Sequence, residues 1–357
     1  MNFKELTHTY KGKKVFLTGH TGFKGSWFLC MLKLLGAQVK GYSLAPETKN
    51  ALFNLVKGDE LCDSVIADIR DESKLADEIS VFQPDFVFHF AAQSLVRQSY
   101  QIPLETIEIN VMGTANLLNA VNKIKKPCAV IVITTDKVYE NREWIYPYRE
   151  TDKLGGYDTY SASKACAEII VNSFRQSFFK STDDGKQLKG LATARAGNVI
   201  GGGDRAKDRI IPDLVNSLEN KQIIKVRNPN AIRPWQHVLE PLYGYLLLGS
   251  KLYNNPLLYS DAFNFGPAME SHLKVEELVN IAIDVWGEGK YELSENKNKL
   301  HEAGILKLDI NKSFNLLAWQ PLLSASEAIK ETIFWYKEHN KTNPRELTMQ
   351  QINNFWK

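Results

Sequence analysis

Three observations predict an α/β fold built on a doubly wound parallel sheet with a smaller C-terminal lobe. Short β-rich runs alternate with longer segments of helical period through the first 200 residues. One run, Val130-Ile131-Val132-Ile133, is unbroken and apolar, as a strand covered on both faces requires. Beyond about Gly201 the alternation loosens, and Pro212, Pro229, Pro234, Pro241, Pro256 and Pro267 fall between shorter elements.

Taken in order, strands are expected at Lys14 to Thr18, Gln38 to Tyr42, Ser64 to Ala67, Phe86 to Phe90, Ala129 to Thr134 and Leu191 to Ala194. Helices are expected at Gly25 to Leu35, Lys74 to Phe82, Val111 to Val121 and Ser161 to Phe179. The polar stretch Ser181 to Lys189 reads as a loop. The expected division is a main sheet-bearing domain over 1–200, to which segments from about 232–255 return, and a lobe made mainly of 201–357.

Composition narrows the function classes. A chain of 357 residues, 44% hydrophobic and 24% charged, excludes global disorder and supplies a large core. Forty-four Lys and Arg against 41 Asp and Glu leave a formal charge of +3, too small to point to nucleic acid or an anionic membrane surface as a partner. Cys30, Cys62, Cys128 and Cys166 lie far apart with no CxxC pair; they read as buried thiols in a reducing compartment, and no metal site is expected. The N-terminus has no apolar segment behind a basic start, and no long apolar run occurs elsewhere, so a cytoplasmic chain is expected.

The first candidate site is Thr18-Gly19-His20-Thr21-Gly22-Phe23-Lys24-Gly25, between the first strand and the first helix. Glycines at 19, 22 and 25 permit a tight turn, close approach of a pyrophosphate, and close packing of helix on sheet. Asp68, after the third strand, offers a carboxylate to an adenine amino group. The second strand ends without an acid for a ribose diol or an Arg for a 2′-phosphate, which leaves NAD and NADP both open, with Ser43 the nearest polar group. The second candidate is Tyr160-Ser161-Ala162-Ser163-Lys164, which sets a phenol and an ammonium on one helix face. A cation there, together with a nicotinium ring, favours phenolate and makes Tyr160 a base for a sugar hydroxyl.

These motifs, with His89-Phe90-Ala91-Ala92-Gln93, Asn110-Val111-Met112-Gly113-Thr114 and Arg195-Ala196-Gly197-Asn198-Val199-Ile200-Gly201, run in order along the chain. In this the chain resembles the extended short-chain dehydrogenases/reductases that modify nucleotide sugars. The resemblance implies a Rossmann-type domain carrying a C-terminal substrate-binding lobe, with NAD as cofactor. It implies cofactor contacts at Gly19, His20, Thr21, Gly22, Phe23, Lys24, Gly25, Ser43, Asp68, Ile69, Ala91, Ala92, Gln93, Tyr160 and Lys164. It further implies pairing of subunits through the helices around Val111 to Val121 and Ser161 to Phe179, as a dimer or a dimer of dimers.

Within that family, Thr134-Thr135-Asp136-Lys137 at the carboxyl end of strand five separates the chemistries. Oxidation at C4 of a hexose acidifies the C5 hydrogen, after which a base at C5 and an acid beside the C6 hydroxyl expel water. Asp136 fits the acid and Lys137 the base, with Thr135 bonding the 4-hydroxyl. The expected activity is therefore that of a 4,6-dehydratase with internally recycled NAD. Related dehydratases carry Asp-Glu at this point, so Lys137 as an electrostatic stabiliser of the ketone, with water as base, stays open. As a base Lys137 must be neutral, which calls for desolvation and for a protonated Asp136.

Longer stretches, among them Ala92 to Arg97 and Ile232-Arg233-Pro234-Trp235-Gln236-His237-Val238, resemble those members that take CDP-glucose. The substrate contacts so implied are Gln93, Arg97, Asn198, Arg233, Trp235 and His237: Arg233 can pair with a pyrophosphate, and Trp235 and His237 offer faces and donors to a base or ribose. The implied role is supply of deoxy sugars for surface polysaccharide such as O-antigen. A dehydratase or epimerase for another nucleotide sugar, and a non-catalytic dinucleotide sensor, remain as alternatives.

Overall fold

The computed structural model describes residues 3–179, 189–206, 209–268, 271, 273–293 and 306–357; the polar stretch 181–188 lies outside them. Among the described residues, seven strands form one sheet: β1 (Lys14–Thr18), β2 (Gln38–Ser43), β3 (Asp63–Ile66), β4 (Phe86–His89), β5 (Cys128–Ile133), β6 (Lys189–Ala196) and β7 (Ala262–Phe265). Their spatial order is β7-β6-β5-β4-β1-β2-β3, and every pairing is parallel. Winding reverses between β1 and β4, so the carboxyl ends of these two strands flank the crevice where such sheets bind ligands. The predicted Rossmann-type sheet is thus present, with β7 contributed by the second half of the chain.

The longer helices are α1 (Phe3–Tyr10), α2 (Phe23–Leu34), α3 (Glu72–Phe82), α4 (Gly113–Asn122), α5 (Thr159–Ser177), α6 (Ile210–Glu219), α7 (Leu239–Asn254), α8 (Val275–Trp286), α9 (Ala325–Glu338) and α10 (Pro344–Phe355). Strand periodicity sorts the core into two layers. Phe16, Val87, Val130 and Val132 face α3, α4 and α5 through Leu75, Ile79, Leu117, Leu118, Val121 and Val171. Val15, Leu17, Phe88 and Ile131 face α2 and α7 through Trp27, Phe28, Leu246 and their neighbours. Each fully buried side chain of this size contributes roughly 1.5–3 kcal/mol.

Local chemistry sets the elements that matter for the site. In α2 every residue from Gly25 to Leu32 is buried, because the helix is enclosed by the sheet on one side and the C-terminal lobe on the other. α5 begins at Thr159 because the Asp158 carboxylate accepts from the Ser161 N–H. α1 has no counterpart among the expected elements; its Tyr10 hydroxyl donates to the Leu246 carbonyl at 2.8 Å and so docks the N-terminus on α7. Cys30 and Cys128 are buried and Cys62 half-buried, but Cys166 is exposed, which corrects the expectation of four buried thiols. It sits on the solvent side of a helix whose other face covers the sheet.

The C-terminal lobe is latched to α7 by one buried acid. Glu240 is fully buried, and its Oε1 accepts from the backbone N–H groups of Leu322 at 2.9 Å and Leu323 at 2.6 Å. Burial pushes its carboxyl up to about 7 from 4.5. A raised folded-state value means that this contribution to stability is complete below about pH 4.5 and is lost as pH rises through about 7. In urea titrations, Glu240→Gln therefore removes about 3 kcal/mol of the stability lost between pH 4.5 and pH 8. An unchanged pH slope in the variant refutes this assignment.

Candidate active site

A single cleft of about 1810 Å³ runs across the carboxyl edge of the sheet. Its walls are the turn after β1, the ends of β2 to β5, the start of α5, and parts of the segments 196–206 and 209–235. Drug-sized ligands occupy roughly 300–1,000 Å³; this volume has room for two nucleotides side by side.

The glycine turn forms one end. Gly19 has φ of +74°, and a Cβ on it would lie 2.7 Å from the Ala91 backbone nitrogen, so only glycine fits between β1 and the loop after β4. The turn places the first residues of α2 on the cleft wall, where the helix N-terminus favours an anion. Thr21, Gly22, Phe23, Lys24 and Gly25 line the cleft, as do Ser43, Asp68, Ile69, Ala91, Ala92 and Gln93. This cradle fits a dinucleotide pyrophosphate.

His20 does not join them. Its imidazole is buried on the far side of the turn, with Nε2 2.7 Å from the Ser64 hydroxyl and the ring edge-on to Phe53. Burial lowers it to about 4, and it packs as a neutral ring beside Gly41. The expectation of a cofactor contact from this side chain is corrected: the turn reverses the chain there, and the side chain leaves on the sheet side. Asp68 lines the cleft but is already paired with Arg70 at 2.6 Å, which holds its carboxyl below the usual range. Ser43 shares a hydrogen bond of 2.9 Å with Thr21.

Gln93 is braced within its loop. Its Oε1 accepts from the Leu95 N–H and its Nε2 donates to the Leu95 carbonyl and the Thr106 hydroxyl. Asn110, inside a π-helical turn at Glu108–Met112, accepts from the Gln93 N–H at 2.9 Å and donates to Ser163 on α5 at 2.8 Å. The irregular turn thereby ties the loop after β4 to the Tyr160 helix.

The reacting groups gather at the end of β5. Thr135 caps a short turn, Asp136–Val138, and its hydroxyl donates to Asp136 Oδ1 at 2.9 Å. The Tyr160 phenol hydrogen-bonds Thr135. Lys164, one turn along α5, donates to the Ile133 carbonyl at 3.2 Å. Burial pushes Tyr160 up to about 12, a rise the Thr135 hydrogen bond only partly opposes, and pushes Lys164 down to about 8. The expected lowering of the phenol by Lys164 is therefore not supplied by the protein: desolvation of a buried hydroxyl outweighs it. Asp136 is buried, whereas Lys137 is exposed on the cleft wall and makes no side-chain hydrogen bond or ion pair among the described residues. The protein alone does not desolvate Lys137, contrary to expectation, because the turn points it outward from β5.

Four residues beyond the predicted set shape this site. A Cβ on Gly197 would lie 1.9 Å from Asp136 Oδ2, so the acid is seated against bare backbone. Glu168, one turn past Lys164, pairs with Arg195 of β6 at 2.9 Å, both side chains 4% exposed. Glu168 also accepts from Thr134 at 2.6 Å and from Thr193 at 2.7 Å. Arg209 lines the cleft and pairs with Asp204 at 2.9 Å. The spacing Tyr160, Lys164, Glu168 was a readable signal for the buried acid; nothing local to Gly197 or Arg209 announces its role.

Of the expected substrate contacts, Gln93, Arg97, Asn198, Arg233 and Trp235 line the cleft. Asn198 takes φ of +47°, and its carbonyl accepts from the Gln236 N–H. His237 does not line it. It is buried edge-on against Trp27, with Nδ1 3.4 Å from the Leu239 nitrogen, and burial lowers it to about 3. That expectation is corrected: the chain runs as two separate short strands, Ile232–Arg233 and Gln236–His237, so the face of Arg233 and Trp235 is not carried on to His237, which packs into the core against Trp27.

The model of the GDP-mannose 4,6 dehydratase family matches residues 16–332. The chain belongs to this family. A CDP-glucose 4,6-dehydratase of Salmonella typhimurium is 48% identical over 328 residues, which cover 92% of this chain and 91% of that protein. A dTDP-glucose 4,6-dehydratase from Streptomyces venezuelae, solved with NAD bound, superposes with a TM-score of 0.76 at 25% identity over 92% of this chain and 98% of that one. An epimerase from Methanothermobacter thermautotrophicus shares the fold, with a TM-score of 0.80 at 21% identity over 98% and 97% of the two chains.

In a 4,6 dehydratase of this family the seat of Asp136 has a direct test. Gly197→Ala must displace the Asp136 carboxylate, and dehydration is expected to fall about 100-fold or more while the circular dichroism spectrum is kept. A fully active Gly197→Ala variant shows that the acid can sit elsewhere.

Proposed function

We propose that this chain is a CDP-glucose 4,6-dehydratase, a hydro-lyase that converts CDP-D-glucose to CDP-4-dehydro-6-deoxy-D-glucose and water. The observation that carries this reading is the convergence of Thr135, Asp136, Lys137, Tyr160 and Lys164 on one cleft beside a dinucleotide cradle. The 48% identity to the Salmonella typhimurium enzyme supports CDP-glucose as the substrate. NAD is favoured over NADP by the cleft wall after β2, where residues 43–48 carry Glu47 and no cation to meet a 2′-phosphate.

NAD, held by the turn Gly19 to Gly25 with Ser43, Asp68, Ile69 and Ala91, would supply hydride acceptance from C4, hydride return to C6 and a positive charge that favours a phenolate. Tyr160 takes the proton of the 4-hydroxyl, with Thr135 holding that oxygen in line. Lys164 steadies the developing phenolate across one helical turn. Lys137 removes the C5 proton of the 4-ketone, and Asp136, protonated, donates to the departing 6-hydroxyl. Lys137 then returns a proton to C5. Arg209, Arg233 and Asn198 hold the substrate diphosphate, with Arg97 and Trp235 toward the nucleoside.

The wider assignment follows the same reading. Residues 1–200 bind the dinucleotide, and 201–357 mainly bind the nucleotide sugar. Exposed Leu104, Ile107, Met112 and Ile169 lie on or beside the helices through which subunits pair, which supports a dimer or dimer of dimers. None of the described helices is long and apolar enough to cross a membrane, and we place the enzyme in the cytoplasm, supplying deoxy sugars for surface polysaccharide such as O-antigen.

Incubation with CDP-, dTDP-, GDP- and UDP-hexoses separates the candidate substrates. Loss of about 18 mass units from CDP-glucose, with no net NADH, is the expected result; water loss from another hexose alone, epimerisation, or binding without turnover overturns it. For the base, Lys137→Met is expected to allow enzyme-bound NADH to form while deuterium uptake at C5 falls about 100-fold or more. Undiminished C5 exchange removes Lys137 from that role and leaves it stabilising the ketone oxygen.

A further inference from the structure

Arg205 stands on the lobe side of the cleft, and its guanidinium joins two helices that are far apart in the chain. Nη1 donates to Glu219, the last residue of α6, at 3.0 Å, and Nη2 donates at 3.2 Å to Nε2 of His339, which follows the end of α9. The group also lies over the Tyr336 ring, 5.2 Å from its centroid. His339 is set to receive it. Its Nδ1 is 2.7 Å from the Tyr336 carbonyl, and because a carbonyl only accepts, Nδ1 carries the proton and Nε2 presents a lone pair to Arg205. Trp335 stacks on the same buried ring at 5.1 Å. A single half-exposed ion pair contributes little. Here an ion pair, a hydrogen bond and an aromatic face meet on one planar group suited to all three.

This strut holds the residue next to Arg205. The Asp204 carbonyl accepts from the Tyr336 hydroxyl at 2.5 Å, and its carboxylate accepts from the Ala206 N–H at 3.1 Å and from Arg209 Nη1 at 2.9 Å. Arg209 is the cation on the cleft wall that faces the substrate diphosphate in the reading above. We propose that Arg205 is a positioning residue for substrate binding: by clamping residues 204–206 between α6 and α9 it fixes the Asp204 carboxylate, and through it the reach of Arg209 to the diphosphate. The inference rests on the nucleotide-sugar reading and deepens it. The contacts of Arg205 fall on α6 and on the end of α9, on neither the cofactor turn nor the end of β5, so its effect is on substrate binding and not on the chemical steps.

Steady-state kinetics and calorimetric titration with CDP-glucose, on the full chain with NAD bound, test this. Arg205→Met is expected to raise KM and the dissociation constant about tenfold, with kcat within about twofold of wild type and NAD affinity unchanged. Glu219→Gln removes the ion-pair partner while Arg205 stays, and is expected to raise KM about threefold. The deciding measurement is a double-mutant cycle with Arg209→Met. Because both side chains act on one diphosphate contact, the double variant is expected to bind no more weakly than Arg209→Met alone. Additive losses in the cycle, an unchanged KM in both single variants, or a fall in kcat with KM kept overturn the proposal. A wild-type chain that neither binds nor dehydrates CDP-glucose overturns the substrate reading instead, and the same cycle is then run with the nucleotide sugar it does convert.

Discussion

The buried pair between Glu168 and Arg195 is the interaction on which the site depends. Removing two charges from water is costly, and an isolated pair rarely recovers that cost. Here every charged atom is occupied: Glu168 accepts two bonds from Arg195 and one each from Thr134 and Thr193, while Arg195 also donates to the Tyr139 hydroxyl and the Glu150 carbonyl. Tyr139 passes the chain of bonds to Asn264 on β7, which donates to the Tyr148 and Asp309 carbonyls. The network joins α5, β5, β6 and β7. Because Glu168 follows Lys164 by one turn, it fixes the rotation of α5, and with it the aim of Tyr160 and Lys164 at Thr135.

The acid and the base of the site are held in different ways, and their surroundings explain why. Asp136 is pressed against Gly197 and held by Thr135, so its position is set before any ligand arrives. Lys137 next to it is open to solvent on a flexible four-carbon stem. A donor to a leaving hydroxyl gains from a fixed geometry. A group that first removes a proton from C5 and later returns one has to follow a carbon that changes from tetrahedral to planar and back. Preorganisation serves the first task and reach serves the second.

What could be read in the sequence was whatever repeats locally. The unbroken run Val130 to Ile133 announced a central strand, and β5 is buried along its whole length. Tyr160 with Lys164, and Thr135 with its two successors, were legible because their partners are a few residues away. Gly197 against Asp136, and Glu168 against Arg195, join distant parts of the chain, and no local pattern encodes which strand ends will be adjacent. His20 and His237 show a different limit. Both stand within ligand-binding stretches, but a motif does not say from which side of the backbone each side chain leaves, and an imidazole with one polar partner packs well in a core. α1 was missed because eight amphipathic residues ahead of a strong strand carry little signal of their own.

The net charge of +3 is near zero, and the cleft wall as a whole is nearly balanced too; among its charged groups Lys24, Lys137, Lys164, Arg209 and Arg233 stand with Asp136, Asp158 and Asp204. Such a cluster carries self-repulsion, visible in the way Arg209 and Lys164 both lower Lys24. The repulsion is tolerable because the cations come from separate elements: α2, the turn after β5, α5 and two segments of the lobe. A diphosphate entering between them offsets charges on both walls at once. The sugar carried on that diphosphate would cover Lys137, the one group of the set that the protein leaves exposed. On this argument the desolvation that the chemistry requires is delivered by the substrate, at the moment it is needed, and is absent from the resting protein.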